Sequence, residues 1–166
     1  FVLCAHLCHP HQVNDDLAGV VVGINVMREL LRRNNLHYTY RLLILPETIG
    51  SVAWLQNLEL KIENLKFTQP AMLFGGLFLE MLGTDLPHSL QLSLAGDTAL
   101  DKLMINVLQQ HDADSWVGAF NTVIGNDERQ FNAPGIRVPM LSLSRVHQPS
   151  HPHYPYLQYH STDDTP

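Results

Sequence analysis

Short apolar segments alternate with helical segments along most of this chain, and that alternation restricts the fold more than any other feature. Residues 1–7 (Phe-Val-Leu-Cys-Ala-His-Leu) are apolar over a length that suits a buried strand. Residues 17–34 repeat apolar side chains at helical spacing. Arg32 and Arg33 occupy the last turn, Asn34-Asn35 stops the helix, and Asp15 or Asp16 can cap its start. Residues 38–45 read as a second strand and 51–60 as a helix. Residues 71–82 read as an apolar strand interrupted by Gly75-Gly76, and 88–94 as an alternating strand. Residues 98–110 form an amphipathic helix begun by Asp97 or Thr98. Residues 112–137 read as mostly loop, 138–145 as the last strand and 146–166 as a tail. Parallel strands need crossover connections, and helices supply them. The expected architecture is therefore α/β, a three-layer α/β/α sandwich around a mainly parallel, mixed sheet.

Composition narrows the function classes. A chain of 166 residues with 45% hydrophobic and 16% charged residues builds one domain with a real core. A net charge of −6 excludes nucleic acid as the default partner, because phosphate binding needs a basic stripe. Arg28, Arg32 and Arg33 are the only basic cluster, and they complement the dipole at a helix end. Cys4 and Cys8 point to one face of a strand, too far apart to bridge. They read as free thiols of a reducing, cytoplasmic setting. Neither a signal peptide nor a membrane-spanning stretch is visible, so no membrane partner is expected. Phe1 begins inside a strand and Pro166 directly follows a motif, so residues 1–166 read as a partial catalytic domain lacking elements at both ends. Homo-oligomer formation is left open.

The chemistry-bearing side chains gather where strands end. His6 and His9 follow the first strand, Glu47 follows the second, and Glu80 belongs to the third. Ligands of open α/β sheets bind beyond the carboxyl ends of the strands. A catalytic zinc site needs a few imidazole or carboxylate ligands and an open position. His6-x-x-His9 beside Asn14-Asp15-Asp16 fits that need, although two loop histidines often have no role. A helix cap needs one acid. Two adjacent acids repel unless a cation is present, which points to Asp15 as a ligand. Glu47 is either a general base or a solvated loop carboxylate. Glu80, inside Leu77-Phe78-Leu79-Glu80-Met81-Leu82, is costly to bury unless paired or metal-bound; on an alternating strand it would instead face solvent. Asp127-Glu128-Arg129-Gln130-Phe131 is a charged turn, held by a surface ion pair or positioning substrate through Asp127 or Arg129. The tail carries His147, His151, His153 and His160, which spacing does not tell apart.

In their order these pieces resemble zinc aminopeptidases of the bacterial leucyl-aminopeptidase and glutamate-carboxypeptidase type. The matching series is Ala5-His6-Leu7-Cys8, Asn14-Asp15-Asp16-Leu17-Ala18-Gly19, Glu47-Thr48, Leu79-Glu80-Met81-Leu82-Gly83, Asn126-Asp127-Glu128-Arg129-Gln130-Phe131 with Gly135-Ile136, and Tyr159-His160-Ser161-Thr162-Asp163-Asp164. The wording His6-Leu7-Cys8-His9-Pro10, Pro46-Glu47-Thr48-Ile49-Gly50-Ser51 and Asp127 to Phe131 is more similar to a divergent aminopeptidase-like branch associated with bacterial surface-polysaccharide biosynthesis. The resemblance implies a zinc-exopeptidase-like fold and hydrolysis of an N-terminal peptide or related amide bond in a peptide or small amide substrate. It implies His6 as a metal ligand with His9 as the branch-specific alternative. Asp15 would bridge two zincs, Glu80 would ligate the His6 metal, His160 would ligate the second, and Glu47 would be the general base. Three departures matter. Thr48 stands where the family has a second Glu that ligates metal, and a hydroxyl is a poor zinc ligand. Cys8 replaces the Asp that supports the first His, and Glu80 replaces an Asp. One tightly held zinc, or a modified pair, is therefore expected. Thr48 also motivates two alternatives: a catalytically retired binding module, or single-zinc acyl transfer or cyclisation.

Overall fold

The computed structural model describes residues 1–64 and 73–166. Its six strands are β1 (Val2–His6), β2 (Arg41–Leu45), β3 (Gly76–Leu79), β4 (Ser89–Gln91), β5 (Trp116–Gly118) and β6 (Met140–Ser144). They form one sheet in the order β2-β1-β3-β6-β4-β5. β1 runs parallel to both β2 and β3, β3 parallel to β6, and β4 parallel to β5. The β4–β6 pair is antiparallel, which makes the sheet mixed. Among the described residues four α-helices accompany it: α1 (Ala18–Leu31), α2 (Ile49–Asn64), α3 (Ala99–His111) and the short α4 (Glu128–Phe131).

The period of two along each strand divides the core into two layers. Leu3, Leu77, Leu79, Leu90 and Leu141 pack against α1 (Val22, Met27) and α3 (Leu100, Met104, Leu108). Val2, Cys4, Leu43, Phe78 and Met140 point the other way, against Trp54 and Leu55 of α2 and Phe131 of α4. The result is the expected three-layer α/β/α sandwich. β1 is buried along its whole length because helices cover both faces of a central strand. Each fully buried Leu or Phe here contributes roughly 1.5–3 kcal/mol. A third cluster, Met81, Val123, Val146 and Tyr156, seats the C-terminal tail.

The element boundaries differ from the sequence reading in places with physical causes. Tyr38 to Tyr40 lie outside β2, which starts at Arg41. β3 starts only at Gly76, where a Cβ would run into the Val2 carbonyl and the Met140 side chain. Residues 71 and 72 of that expected strand lie outside the described residues. The stretch 112–137 is mostly loop, as expected, with the short β5 and α4 lying within it. Thr98, not Asp97, caps α3, and it trades hydrogen bonds with Asp101 in a capping box. At α1 the acid that serves the first turn is Asp16, whose Oδ1 accepts the Gly19 N–H at 3.0 Å. Gly19 has no room for a side chain, because a Cβ would meet Asp16 Oδ1 and the Leu79 carbonyl. Cys4 is buried and Cys8 exposed, and both are free thiols. Among the described residues no helix is long and apolar enough to cross a membrane.

Candidate metal centre

β1, β2 and β3 are neighbours, so their carboxyl ends lie side by side. His6 closes β1, Glu80 follows β3, and Glu47 lies just beyond the end of β2. The turn Val13–Leu17 then carries Asp15 across them, with its backbone away from helical angles at Asp15 and Asp16. The tail brings His160 to the same carboxylate. His6 Nε2 is 3.0 Å from Asp15 Oδ1, and His160 Nε2 is 3.1 Å from Asp15 Oδ2. His9 Nε2 lies 3.7 Å from Asp15 Oδ2 and 3.5 Å from Glu47 Oε2. Two ligand sets share Asp15. His6, Asp15 and Glu80 form a buried set, and His9, Asp15 and His160 form a set facing solvent; within each, the donor atoms lie within 4.8 Å of one another.

The buried set is under strain as it stands. His6 Nε2, Asp15 Oδ2 and Glu80 Oε2 are buried without a hydrogen-bond partner. His6 Nε2 and Asp15 Oδ1 approach to hydrogen-bond distance yet are not aligned for one. Leaving such atoms unsatisfied costs about 1–3 kcal/mol each. The titrations are distorted to match. Burial, then the charges of Glu128 and Asp16, push the Glu80 carboxyl well above its ordinary range. Burial pushes Asp16 up to about 8, against the pull of His6 and of three backbone N–H groups. Burial disfavours the His6 imidazolium, but contact with Asp15 and the charges of Asp16, Asp15 and Glu47 outweigh it and raise the His6 pKa. Converging lone pairs and crowded carboxylates are what a divalent cation resolves. The imidazole and carboxylate donors present suit zinc.

A shell of hydrogen bonds holds these side chains. Asp16 accepts the N–H groups of His6 and Met81, at 3.2 and 3.1 Å, besides that of Gly19. Asp164 accepts the Asn14 N–H at 3.0 Å, the Asp15 N–H at 3.2 Å and the Tyr156 hydroxyl at 3.0 Å. Asn126 donates its side-chain amide to Glu80. Glu128 accepts both the Asn126 N–H and the Gln91 amide, each at 2.9 Å. Tyr159 stacks on His160 with ring centroids 3.8 Å apart. The Glu47 N–H reaches Cys8 Sγ at 3.3 Å, and that sulfur lies 3.5 Å from His6 Nδ1.

The remaining expected site residues fall as follows. Asp127 is buried and turned toward the loop after β2, accepting the Thr48 N–H at 3.0 Å and the Ser51 hydroxyl. Arg129 is exposed on α4, its Nε donating to the Asn126 carbonyl at 3.1 Å. Thr48 sits at φ +59°, a left-handed conformation that a β-branched side chain resists. Met81, beside Glu80, and His160 itself are also left-handed. A groove of about 660 Å³, lined by Val22, Leu30 and Tyr40 near the far end of α1, shares no residue with this cluster. Sequence reasoning missed Asp16, Asn126 and Asp164 as supporting groups. Asp164 carried a signal, as the acid that closes the tail motif begun by Tyr159-His160.

A family model described as "Domain of unknown function (DUF4910)" matches residues 1–166. The chain belongs to the DUF4910 family. It is 35% identical, over 144 residues, to a Clostridium acetobutylicum protein named "Putative polysaccharide biosynthesis protein with aminopeptidase-like domain". That match covers 87% of this chain and 31% of the relative. A crystal structure of a protein named "putative peptidase", also from Clostridium acetobutylicum, superposes with a TM-score of 0.77 at 31% identity. It covers 98% of this DUF4910 chain and 37% of the other. The DUF4910 chain thus spans about a third of the length of each of these relatives.

Proposed function

We propose that residues 1–166 carry a zinc-dependent, aminopeptidase-like hydrolase domain that cleaves an N-terminal peptide bond or a related amide. One observation carries the reading: the buried side chains of His6, Asp15 and Glu80 converge, and each has an atom without a hydrogen-bond partner. The names of the relatives, peptidase and aminopeptidase-like, support the same class. His6, Asp15 and Glu80 would hold one ion tightly. His9 and His160, across Asp15, would hold a second more loosely, with His9 in place of the carboxylate that Thr48 does not supply. Bound zinc supplies a Lewis acid that polarises a carbonyl and acidifies water.

The protein's own groups do the proton work. Glu47, a third exposed at the rim, accepts the proton of the attacking water and returns it to the leaving amine. Its place is fixed through the backbone on both sides. Its own N–H is tied to Cys8, and the next N–H to Asp127. Asp127 thereby acts as a positioning residue for the base, while exposed Arg129 is the group free to meet substrate. Two free thiols and the acidic surface fit a cytoplasmic protein without nucleic-acid or membrane partners.

The test is Glu47→Gln against wild type, with zinc measured by elemental analysis and hydrolysis followed on a panel of aminoacyl amides and short peptides. The variant is expected to keep its zinc and lose about 100-fold or more in rate. Zinc-loaded wild type that cleaves nothing across the panel overturns the proposal.

A further inference from the structure

We infer a second kind of cation site at the rim of the cluster: His6 Nδ1, Cys8 Sγ and a His9 nitrogen form a thiol-containing site for a thiophilic divalent cation. This site goes beyond the hydrolytic reading and does not depend on it. The donor atoms of these three residues lie within 4.8 Å of one another. Cys8 Sγ and His6 Nδ1 are 3.5 Å apart. With Zn–S of about 2.3 Å and Zn–N of about 2.0–2.1 Å, two donors on a tetrahedral ion are separated by about 3.6 Å. The His6 and His9 rings are 5.0 Å apart and inclined at 78°, so their nitrogens can face one point without the rings stacking.

The surroundings are arranged for capture. His6 is 1% exposed and its ring lies nearly parallel to Phe78, so one wall of the site is rigid. The Glu47 N–H fixes the sulfur. Cys8 is exposed and the His9 side chain is about a quarter exposed, which leaves an entry path and an open fourth position. Sulfur with two imidazoles selects zinc or cadmium over magnesium, calcium or manganese. Binding exchanges the thiol proton for the metal and releases that proton to solvent.

His6 stands between the two kinds of site. Nε2 faces Asp15, and Nδ1 faces Cys8. His9 belongs to the solvent-facing carboxylate set as well. An ion on the thiol side therefore draws on the same imidazoles as the carboxylate sets. If the hydrolytic reading holds, excess zinc inhibits through this site; that consequence alone rests on it.

Cadmium titration of the metal-free full chain tests the site, read by the ultraviolet charge-transfer band of a cadmium thiolate. The sequence holds only Cys4 and Cys8, and Cys4 is buried, so the band reports Cys8. The band is expected to saturate with one thiolate-bound cadmium per chain, whatever cadmium the carboxylate sets also take up. Cys8→Ser is expected to abolish it, while Cys4→Ala and Asp15→Asn retain it. His9→Ala is expected to weaken cadmium binding at least tenfold. Absence of the band in wild type, or its survival in Cys8→Ser, overturns the proposal, and the wild-type arm needs no variant to fold. The two readings fail separately: an intact band in a protein that hydrolyses nothing leaves this site standing, whereas zinc-dependent hydrolysis without a band removes only this site.

Discussion

Replacing Asp164 by alanine should unbuckle the candidate site from behind. Asp164 is buried, and its carboxylate accepts three hydrogen bonds, from the backbone N–H groups of Asn14 and Asp15 and from the Tyr156 hydroxyl. Alanine leaves these donors without an acceptor. At about 1–3 kcal/mol for each buried donor left unpaired, and with water entering part of the space, the loss is about 4 kcal/mol. That is a large share of the roughly 5–15 kcal/mol that holds a domain folded. In a urea titration with a slope of about 2 kcal/mol per molar, the midpoint should fall by about 2 M. Asp164→Asn keeps the volume and one acceptor oxygen, so it should lose about half as much. It should also bind zinc more weakly than wild type, because Asp15 is no longer held from its own N–H. An alanine midpoint within about 0.3 M of wild type would refute the reasoning, as would unchanged zinc affinity in the asparagine variant.

Glu128 supplies a pH test. Burial raises its carboxyl from 4.5 to about 7, so the native state keeps a proton there that the unfolded chain has lost. Unfolded protein binds fewer protons between those values, so this group makes stability fall as pH rises from 4.5 to 7, by on the order of 3 kcal/mol. Glu128→Gln should flatten the dependence of unfolding free energy on pH in that window, and an unchanged slope would count against it. Zinc should raise thermal stability. At free zinc of 100 times its Kd the native state gains about 2.7 kcal/mol. For a chain of this length that is roughly 8 °C in Tm, reversed by a chelator, and a melting curve indifferent to zinc would contradict the metal centre.

What was legible in the sequence followed from periodicity and end signals. β1, α1 and α3 are long or strongly patterned, and the alternation among them implied parallel crossovers and hence the layers. β5 and α4 were not legible because elements of three and four residues carry no period. The fate of Glu80 could not be read from alternation, since β3 is buried on both faces and alternation is informative only where one face is wet. His6 and His9 could not be separated by spacing, and the fold brings both to Asp15, one inside the core and one at the rim. The role of Asp127 was hidden for a different reason. Its partners Thr48 and Ser51 are 79 and 76 residues away, and only the fold brings them together. His160 was set apart from the other tail histidines only through the motif Tyr159 to Asp164 of the resemblance, and in the fold Tyr159 stacks on it.

The register of the sheet has a consequence for how such a domain can change. β1 pairs with β3 so that Cys4 meets Phe78, and the two neighbouring strands carry His6 and Glu80 at their carboxyl ends. β1 pairs with β2 so that His6 meets Leu45, and just beyond the ladder the Glu47 N–H reaches Cys8 Sγ. The separation of His6 from Glu80 is therefore inherited from the interstrand repeat of about 4.8 Å, whereas His9, Asp15, Glu47 and His160 are placed around that pair by turns and the tail. Insertions in the surrounding loops can leave the His6–Glu80 pair in place while moving His9, Asp15, Glu47 or His160 around it. A strand slip of one residue, by contrast, would turn His6 or Glu80 to the opposite face and dismantle the centre in one step. The buried pair is thus written in hydrogen-bonded strands, and the groups that complete the centre in the segments that connect them.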